Sequence, residues 1–282
     1  MIKRIIVPLD PSEYSANALN IACTIAKIHD AEVTGLVILD IPGITKSIGP
    51  VPLGASYFAQ ELEHFKISEA DKRIHNLLEK FKEKCNNEGI KHKEHARQGT
   101  PSKKILEQSL FYDMIVMGMK THFDFETSDE PGSSFEEILD ASITPIFAIP
   151  KDFKLPNVPS EKIKVLIAFD GSLPACRAVQ RFAQLQIAEM TDIKVLMSHE
   201  YRKFAEHYLS DVKDYLNAHK FNNVETIYTD KPIIEFIEKN YLDWPDMFVL
   251  GMHAKRVLFD FIVGSLTKFL IKYEKKPIFI GQ

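Results

Sequence analysis

The stretch Asp113-Met114-Ile115-Val116-Met117-Gly118 returns 133 residues later as Asp246-Met247-Phe248-Val249-Leu250-Gly251. Each copy is an apolar run that begins with aspartate and ends with glycine, which is typical of a buried strand in a parallel sheet. A second pair follows at an offset of 132 residues, Thr144-Pro145-Ile146-Phe147 with Lys276-Pro277-Ile278-Phe279. Two matches at nearly the same offset indicate duplication of a whole domain rather than a solenoid repeat.

The segments that precede the first stretch alternate between strand and helix patterns. β-Branched runs at Lys3–Leu9 and Glu32–Leu39 predict two strands, and a short run at Lys91–Arg97 predicts a third. Apolar residues at three- and four-residue spacing predict the intervening helices, the longest over Tyr57–Glu88. The Gly- and Pro-rich segment Ile41–Ser56 predicts a loop. Five strands alternating with four helices predict an α/β fold in which a five-stranded parallel sheet carries helices on both faces.

The same order of patterns begins again after residue 160, so the chain divides in two. The segment between the copies contains Pro156 and Pro159 without apolar periodicity, which indicates a linker. We therefore predict a first domain over residues 1–150, a linker over 151–162 and a second domain over 163–282. The second copy is shorter before its fourth strand, mainly because it lacks the Gly- and Pro-rich segment.

The composition gives no indication of a nucleic-acid-binding protein or a membrane protein. Formal net charge is -4 with both signs interspersed, which gives no reason to expect nucleic acid or an anionic membrane as partner. The apolar run at the N-terminus is too short for a signal peptide, and no long apolar stretch predicts a membrane span, so a cytoplasmic location is expected. Cys23, Cys85 and Cys176 show no metal-ligand spacing and are predicted to be small core hydrophobes.

Ligands of open parallel sheets bind outside the carboxyl ends of the strands, where neighbouring crossovers diverge. Each copy has an aspartate after its first strand, Asp10 or Asp170. Each also has a glycine at the end of its fourth strand and a Gly-Ser pair before the next helix. Glycine permits close backbone approach, and free amides at a helix start attract phosphate. The pattern predicts a nucleotide site with a carboxylate for the ribose or base and amides for the phosphates.

These features resemble the universal stress protein family. The strand-Asp opening, the Asp-x-x-Val-x-Gly-like fourth strand and the Gly-Ser-helix-Pro-strand ending match that family over nearly the whole chain, twice. The resemblance implies two tandem Rossmann-like domains of the adenine nucleotide α-hydrolase type. It also implies a stress-response factor that binds ATP or a related adenine nucleotide, with Mg²⁺ bridging the phosphates. The ligand contacts that it implies are Asp170, Gly251, Gly264 and Ser265 in the second copy, with Asp10, Gly118, Gly132 and Ser133 as their counterparts.

The two copies differ in how well they keep the family's spacing. Its nucleotide-binding members have Gly, two residues, Gly, nine residues and then Gly-Ser or Gly-Thr. The second copy keeps the nine residues, 255–263, and changes only the middle glycine, to Ala254. The first copy has Thr121 at that position, and ten residues follow it. Those ten also carry four acidic residues where a triphosphate would pass: Asp124, Glu126, Asp129 and Glu130. The second copy is therefore the better candidate.

Several alternatives stay open at this point. Asp10 and Asp170 are also suited to cap the helices after them, and the Gly-Ser pairs to be ordinary helix starts. A nucleotide-free scaffold for protein partners is a second hypothesis, and an adenine-nucleotide-dependent hydrolase with weak ATPase activity is a third. The sequence contains no P-loop, no Gly-x-Gly-x-x-Gly and no nucleophile elbow. We therefore expect no dedicated enzymatic activity, and slow ATP hydrolysis is left open.

The resemblance also implies how the copies associate. Universal stress proteins commonly pair through the final strand of each copy, which here would join the two copies as an internal pseudo-dimer. The final strands, Pro145–Ile149 and Pro277–Ile280, are apolar enough to need covering. Whether two chains then form a homodimer is not visible in the sequence.

Overall fold

The computed structural model describes residues 1–52, 54–121, 123, 133–156, 161–185, 187–252, 255–257, 260–262 and 264–281. The chain divides into two compact units, Ile2–Ala141 and Ser142–Gln282 together with Met1. Among the helices described, none is long and apolar enough to cross a membrane.

The N-terminal unit alternates strands and helices. Its elements are β1 (Arg4–Pro8), α1 (Glu13–His29), β2 (Glu32–Leu39), α2 (Ile41–Ile48), α3 (Ser56–Asn87), β3 (His92–Gln98), α4 (Pro101–Ser109), β4 (Met114–Gly118) and α5 (Ser133–Ala141). The strands lie in the order β3-β2-β1-β4, and β1 pairs in parallel with both β2 and β4. The pairing of β2 with β3 is parallel as well. The parallel α/β prediction is confirmed.

The C-terminal unit repeats the same order. Its elements are β5 (Ile146–Ile149), β6 (Ile163–Phe169), α6 (Leu173–Ala183), a 3₁₀ turn (Ala188–Met190), β7 (Thr191–Ser198), α7 (Arg202–Ala218), β8 (Val224–Thr229), α8 (Ile233–Asn240), β9 (Met247–Gly251), β10 (Lys255–Val257), β11 (Asp260–Ile262), α9 (Ser265–Tyr273) and β12 (Ile278–Gly281). The strand order is β5-β12-β9-β6-β7-β8. The strands from β12 to β8 pair in parallel, and β5 pairs antiparallel with β12.

The aspartate that opens the duplicated stretch has the same role in both units. Asp113 Oδ2 accepts hydrogen bonds from the backbone amides of Lys3 (2.7 Å) and Arg4 (2.9 Å). Asp246 Oδ2 accepts one from the amide of Lys164 (2.8 Å). In each unit this carboxylate binds the amides at the start of the neighbouring strand, β1 or β6. The repeat therefore preserves a strand-start contact together with the apolar run that follows it.

The prediction of a loop over Ile41–Ser56 is wrong for its first half. Residues Ile41–Ile48 form α2, so the described part of the first copy has five helices rather than the predicted four. Asp40 caps this helix, because its side chain accepts a hydrogen bond from the amide of Gly43 at 3.0 Å. Pro42 lies in the first turn, where a missing amide hydrogen costs nothing. The Gly and Pro residues of this segment are typical of loops, although here they belong to a capped helix.

Two further features of the C-terminal unit were not predicted. The nine residues 255–263 contain a short antiparallel pair, β10 and β11, in which Lys255 lies opposite Ile262. The final strand of the first copy, β5, is grouped with the C-terminal unit, where Phe147 lies opposite Phe279 of β12. The strand pairing that the resemblance implies is thus present. The domain limits and the pseudo-dimer remain predictions.

Candidate functional site

A cavity of about 190 Å³ opens at the carboxyl ends of β6 and β9 in the C-terminal unit. Residues from β6, α6, α8, β9 and α9 line it: Ala168, Phe169, Asp170, Ala175, Ile233, Leu250, Gly251, Gly264, Ser265, Leu266 and Thr267. This is the edge at which parallel sheets bind ligands, between strands whose crossovers diverge. All four residues that the sequence predicts as ligand contacts in the second copy line this cavity.

Asp170 follows β6 and presents an exposed carboxylate. Its Oδ1 accepts a hydrogen bond from the amide of Ser172 at 3.0 Å. The cap of α6 is Ser172, because its hydroxyl accepts a hydrogen bond from the amide of Ala175 at 3.2 Å. The alternative in which Asp170 itself caps this helix is therefore wrong. The aspartate instead shapes the turn before the cap and reaches the cavity.

Gly251 is needed for packing between β9 and α6. A β-carbon at this position would collide with the backbone of Pro174 and Ala175 at the start of α6. The glycine lets the first turn of α6 lie directly on the end of β9. Gly251 also lines the cavity, and its contact with a ligand remains a prediction.

Gly264 and Ser265 form the start of α9 at the cavity wall. Gly264 is the residue before the first turn, and among the described residues no side chain caps this helix. A β-carbon on Gly264 would find only Thr267 Oγ1, at 3.9 Å, so the space around it is open. Uncapped amides and the positive end of the helix dipole make this wall suited to bind an anion.

The sequence reasoning missed several residues that line the cavity. Thr267 is buried in the first turn of α9, two residues beyond the predicted Ser265. Ile233 reaches the cavity from the start of α8. The signal for Ile233 was Pro232, which marks the helix start at the carboxyl end of β8. An apolar residue such as Ile233 belongs to no sequence motif. Only its position after a predicted strand indicates that it lies near the site.

The charge of Asp170 acts on a neighbouring thiol. Burial raises the pKa of Cys176, and the negative charge of Asp170 raises it further. Cys176 is half-buried in the first half of α6, next to the cavity-lining Ala175. The thiol therefore reports on the electrostatic potential at the site. Among the residues that the structure describes, no group of three or more His, Cys, Asp and Glu side chains is placed to hold a metal ion.

The corresponding aspartate of the first copy is buried. Asp10 is 3% exposed, and its Oδ1 accepts hydrogen bonds from the amide (3.0 Å) and hydroxyl (2.5 Å) of Ser12. Its own amide donates to the hydroxyl of Ser15 at 3.0 Å. Ser12 caps α1, so the capping role proposed for Asp10 is also wrong. The Asp10 carboxylate therefore stabilises the turn that precedes α1.

The other predicted residues of the first copy are only partly described. Gly118 packs against α1, because a β-carbon there would lie 2.5 Å from Tyr14 Cβ. Thr121 is fully buried, and its hydroxyl donates to the carbonyl of Gly118 at 2.9 Å. Ser133 begins α5, whereas Gly132 lies outside the described residues. The same holds for the four acidic residues at 124, 126, 129 and 130, and for Ala254 of the second copy.

Solved structures resemble this fold along the whole chain. A universal stress protein from Archaeoglobus fulgidus is similar over 99% of this chain and 98% of its own, with a TM-score of 0.70 and 20% identity. The cytoplasmic domain of a prokaryotic cation chloride cotransporter is similar over 99% of this chain and 95% of its own, with a TM-score of 0.55 and 10% identity. At these identities the likeness concerns the fold alone.

The comparisons of sequence are more specific. Residues 1–126 match the model of the universal stress protein family. A universal stress protein of Methanocaldococcus jannaschii is 27% identical over 156 residues, which are 55% of this chain and 85% of that protein. By these matches, the N-terminal part of the chain is similar to the universal stress protein family.

Proposed function

We propose that the C-terminal unit binds ATP or a related adenine nucleotide, with Mg²⁺, in the cavity between β6, β9 and α9. The observation that carries this proposal is the convergence of Asp170, Gly264 and Ser265 on one cavity. The carboxylate is an acceptor for ribose hydroxyls, and the uncapped start of α9 supplies amide donors for phosphate oxygens. Mg²⁺ would bridge the phosphates. Occupancy of the site would then alter contacts with protein partners during a stress response.

The first copy is the poorer site in this proposal. Asp10 is buried and already accepts hydrogen bonds from Ser12, whereas Asp170 is exposed. A nucleotide at the first copy would have to displace those internal bonds, which are costly to leave unmade. We therefore propose one binding site per chain. A cytoplasmic location is inferred from the sequence, and cell fractionation tests it.

Isothermal titration of the full chain with Mg-ATP tests the proposal. We expect heat of binding from the native protein and at least about tenfold weaker binding for Asp170→Ala, which removes the carboxylate. The matched control is Asp230→Ala, because Asp230 is an exposed aspartate that follows β8 at the same edge but does not line the cavity. Absence of binding heat, or equal weakening by the two variants, contradicts the proposal.

A nucleotide-free scaffold is the second candidate function, and one observation favours it. The cavity of about 190 Å³ is smaller than the about 300 Å³ at which small-molecule pockets usually begin, so it encloses only part of a nucleotide. Native mass spectrometry of the purified protein separates the candidates. Retained ATP or ADP supports the nucleotide site, and its absence together with a flat titration supports the scaffold. Phosphate release from Mg-ATP, measured on the same sample, tests for slow hydrolysis.

A further inference from the structure

The first half of α3 carries an exposed apolar face. Phe58 is 72% exposed, Phe65 64% and Leu62 44%. Their spacing of four and three residues places them on one side of the helix. The Tyr57 ring, 66% exposed, contacts the Phe58 ring edge-on with 5.9 Å between centroids and extends the face. These four residues, the α3 stripe, form a concentration of exposed apolar side chains, unlike the single apolar residues that are scattered over ordinary surfaces.

The length of α3 explains why the stripe is uncovered by its own sheet. Its 32 residues span about 48 Å at 1.5 Å per residue, whereas the eight residues of β2 span about 26 Å. The second half packs on the sheet, with Phe81 fully buried against Gly35. No residue from 56 to 69 is buried. The first half of the helix therefore extends past the sheet edge.

Helix α2 covers a different side of α3. Thr45 Oγ1 donates a hydrogen bond to Glu63 Oε1 at 2.6 Å, and Lys66 Nζ donates one to Ser47 Oγ at 2.8 Å. These polar contacts hold α2 along one flank and leave the α3 stripe exposed. A groove of about 680 Å³ lies between the two helices, and Phe65 lines it. The stripe and the groove form one continuous surface.

We propose that the α3 stripe is a homodimer interface that packs against the same stripe of a second copy of this chain. An aromatic side chain contributes about 150–250 Å² of contact area, so three aromatics at two-thirds exposure and Leu62 present about 350–550 Å². One side of a standard-size protein–protein interface buries about 800 Å². At the apolar share of homodimer interfaces, about 65%, that is about 520 Å² of apolar area. The stripe supplies an apolar area of that size.

A second copy fits this surface better than a lipid membrane does. The charges beside the stripe have mixed signs, with Glu61 and Glu63 as well as Lys66. Helices that lie on anionic membranes carry an excess of Lys and Arg on the polar face. A two-fold axis would place one stripe on another, so that a single surface covers itself. This interface is independent of the nucleotide site.

Sedimentation of the full chain over a range of concentrations tests the proposal. We expect a species of twice the 32.2 kDa chain mass, and a dissociation constant at least about 30-fold higher for Phe58→Glu, a central aromatic of the stripe. The control is Phe111→Glu, because Phe111 is 82% exposed but lies between α4 and β4. The far-ultraviolet circular dichroism spectrum should be unchanged for both exposed substitutions, which would confirm that each variant folds.

Each outcome of the sedimentation experiment either supports the proposed interface or overturns it. A wild-type dimer that Phe58→Glu dissociates and Phe111→Glu leaves intact supports the interface. A monomer at every concentration overturns it, and so does a dimer that both substitutions leave intact or that both dissociate equally. Co-sedimentation with phosphatidylcholine vesicles, with and without phosphatidylserine, tests the membrane alternative. A monomer that binds either vesicle through Phe58 overturns the dimer.

Discussion

Gly251 lies against Ala175 so closely that a β-carbon on the glycine would come within 2.6 Å of the Ala175 α-carbon. The first copy repeats this relationship, since a β-carbon on Gly118 would lie 2.8 Å from the carbonyl carbon of Tyr14. Both neighbours are backbone atoms in the first turn of a helix, which cannot swing aside as a flexible side-chain end can. The duplicated glycine thus sets the distance between strand and helix at the ligand edge.

Gly251→Ala is predicted to destabilise the C-terminal unit. The added methyl forces α6 away from β9, and overpacking of this kind costs about 1–3 kcal/mol of the free energy of unfolding. Thermal unfolding followed by circular dichroism measures the effect. The control is Gly264→Ala, whose backbone angles, φ -55 and ψ 145, suit any residue and whose surroundings are open. That variant should stay within about 1 kcal/mol of the wild type. Equal stability of the two variants would contradict the packing role.

The two aspartates that end the first strand of each copy should respond differently to substitution. Asp10→Ala removes the acceptor for the amide and hydroxyl of Ser12 in a buried setting, which costs about 1–3 kcal/mol. Asp170 is exposed, so Asp170→Ala should change the free energy of unfolding by less than about 1 kcal/mol. Urea unfolding of both variants measures the difference. A larger loss for Asp170→Ala would show that its carboxylate is structural.

Local signals made most of the fold predictable from the sequence. Apolar runs that end in Asp or Gly placed the main parallel strands, and four predicted residues of the second copy line one cavity. The helix α2 was missed because Pro and Gly were read as loop signals, although Pro42 lies in a first helical turn that tolerates it. Residues with no motif, such as Ile233, were missed because only the fold brings them to the site.

The difference in burial between Asp10 and Asp170 could not be predicted from the sequence, and the reason is a different one. The two turns differ at the fifth residue after the aspartate, where the first copy has Ser15 and the second has Ala175. The Ser15 hydroxyl accepts a hydrogen bond from the Asp10 amide, and alanine cannot do this. The role of Gly251 was equally hidden, because its steric partner lies 76 residues earlier in the chain. The first effect is a local hydrogen bond and the second a tertiary contact, and neither spacing nor composition reports them.

Stability should fall as the pH drops below the ordinary pKa of histidine. Burial lowers the pKa of His29 from its usual 6.5, and the positive charge of Lys3 lowers it further. Burial also lowers the pKa of His95. The unfolded chain therefore binds more protons than the folded chain below pH 6.5, so the free energy of unfolding decreases there until the folded pKa is passed. Above pH 6.5 this contribution is fully present.

Urea unfolding at several values between about pH 5 and pH 8 measures this dependence. For each histidine the slope has an upper limit of about 1.4 kcal/mol per pH unit. His29→Gln should flatten part of the decrease, and a second variant, His95→Gln, should flatten another part. An unchanged slope in His29→Gln would show that the buried imidazole does not control the acid sensitivity.

Nucleotide binding should slow the labelling of Cys176 by a disulfide reagent. Cys23 and Cys85 are fully buried, so Cys176, which is half-buried, is the thiol expected to react in the native protein. Burial and then the charge of Asp170 raise the pKa of Cys176, which keeps the reactive thiolate scarce at neutral pH. Asp170→Asn removes that charge, lowers the pKa and should speed labelling. Bound phosphates add negative charge to the same cavity and should slow it.

The rates are measured with and without Mg-ATP on the wild type and on Asp170→Asn. Asp230→Asn is the control, since its carboxylate follows β8 and does not line the cavity. Protection by Mg-ATP in the wild type and in this control, but not in Asp170→Asn, places the ligand beside Cys176. In the contrary outcome, labelling is equally fast with and without Mg-ATP while titration still reports binding. The nucleotide then occupies another part of the protein, and Asp170 acts on Cys176 through its charge alone.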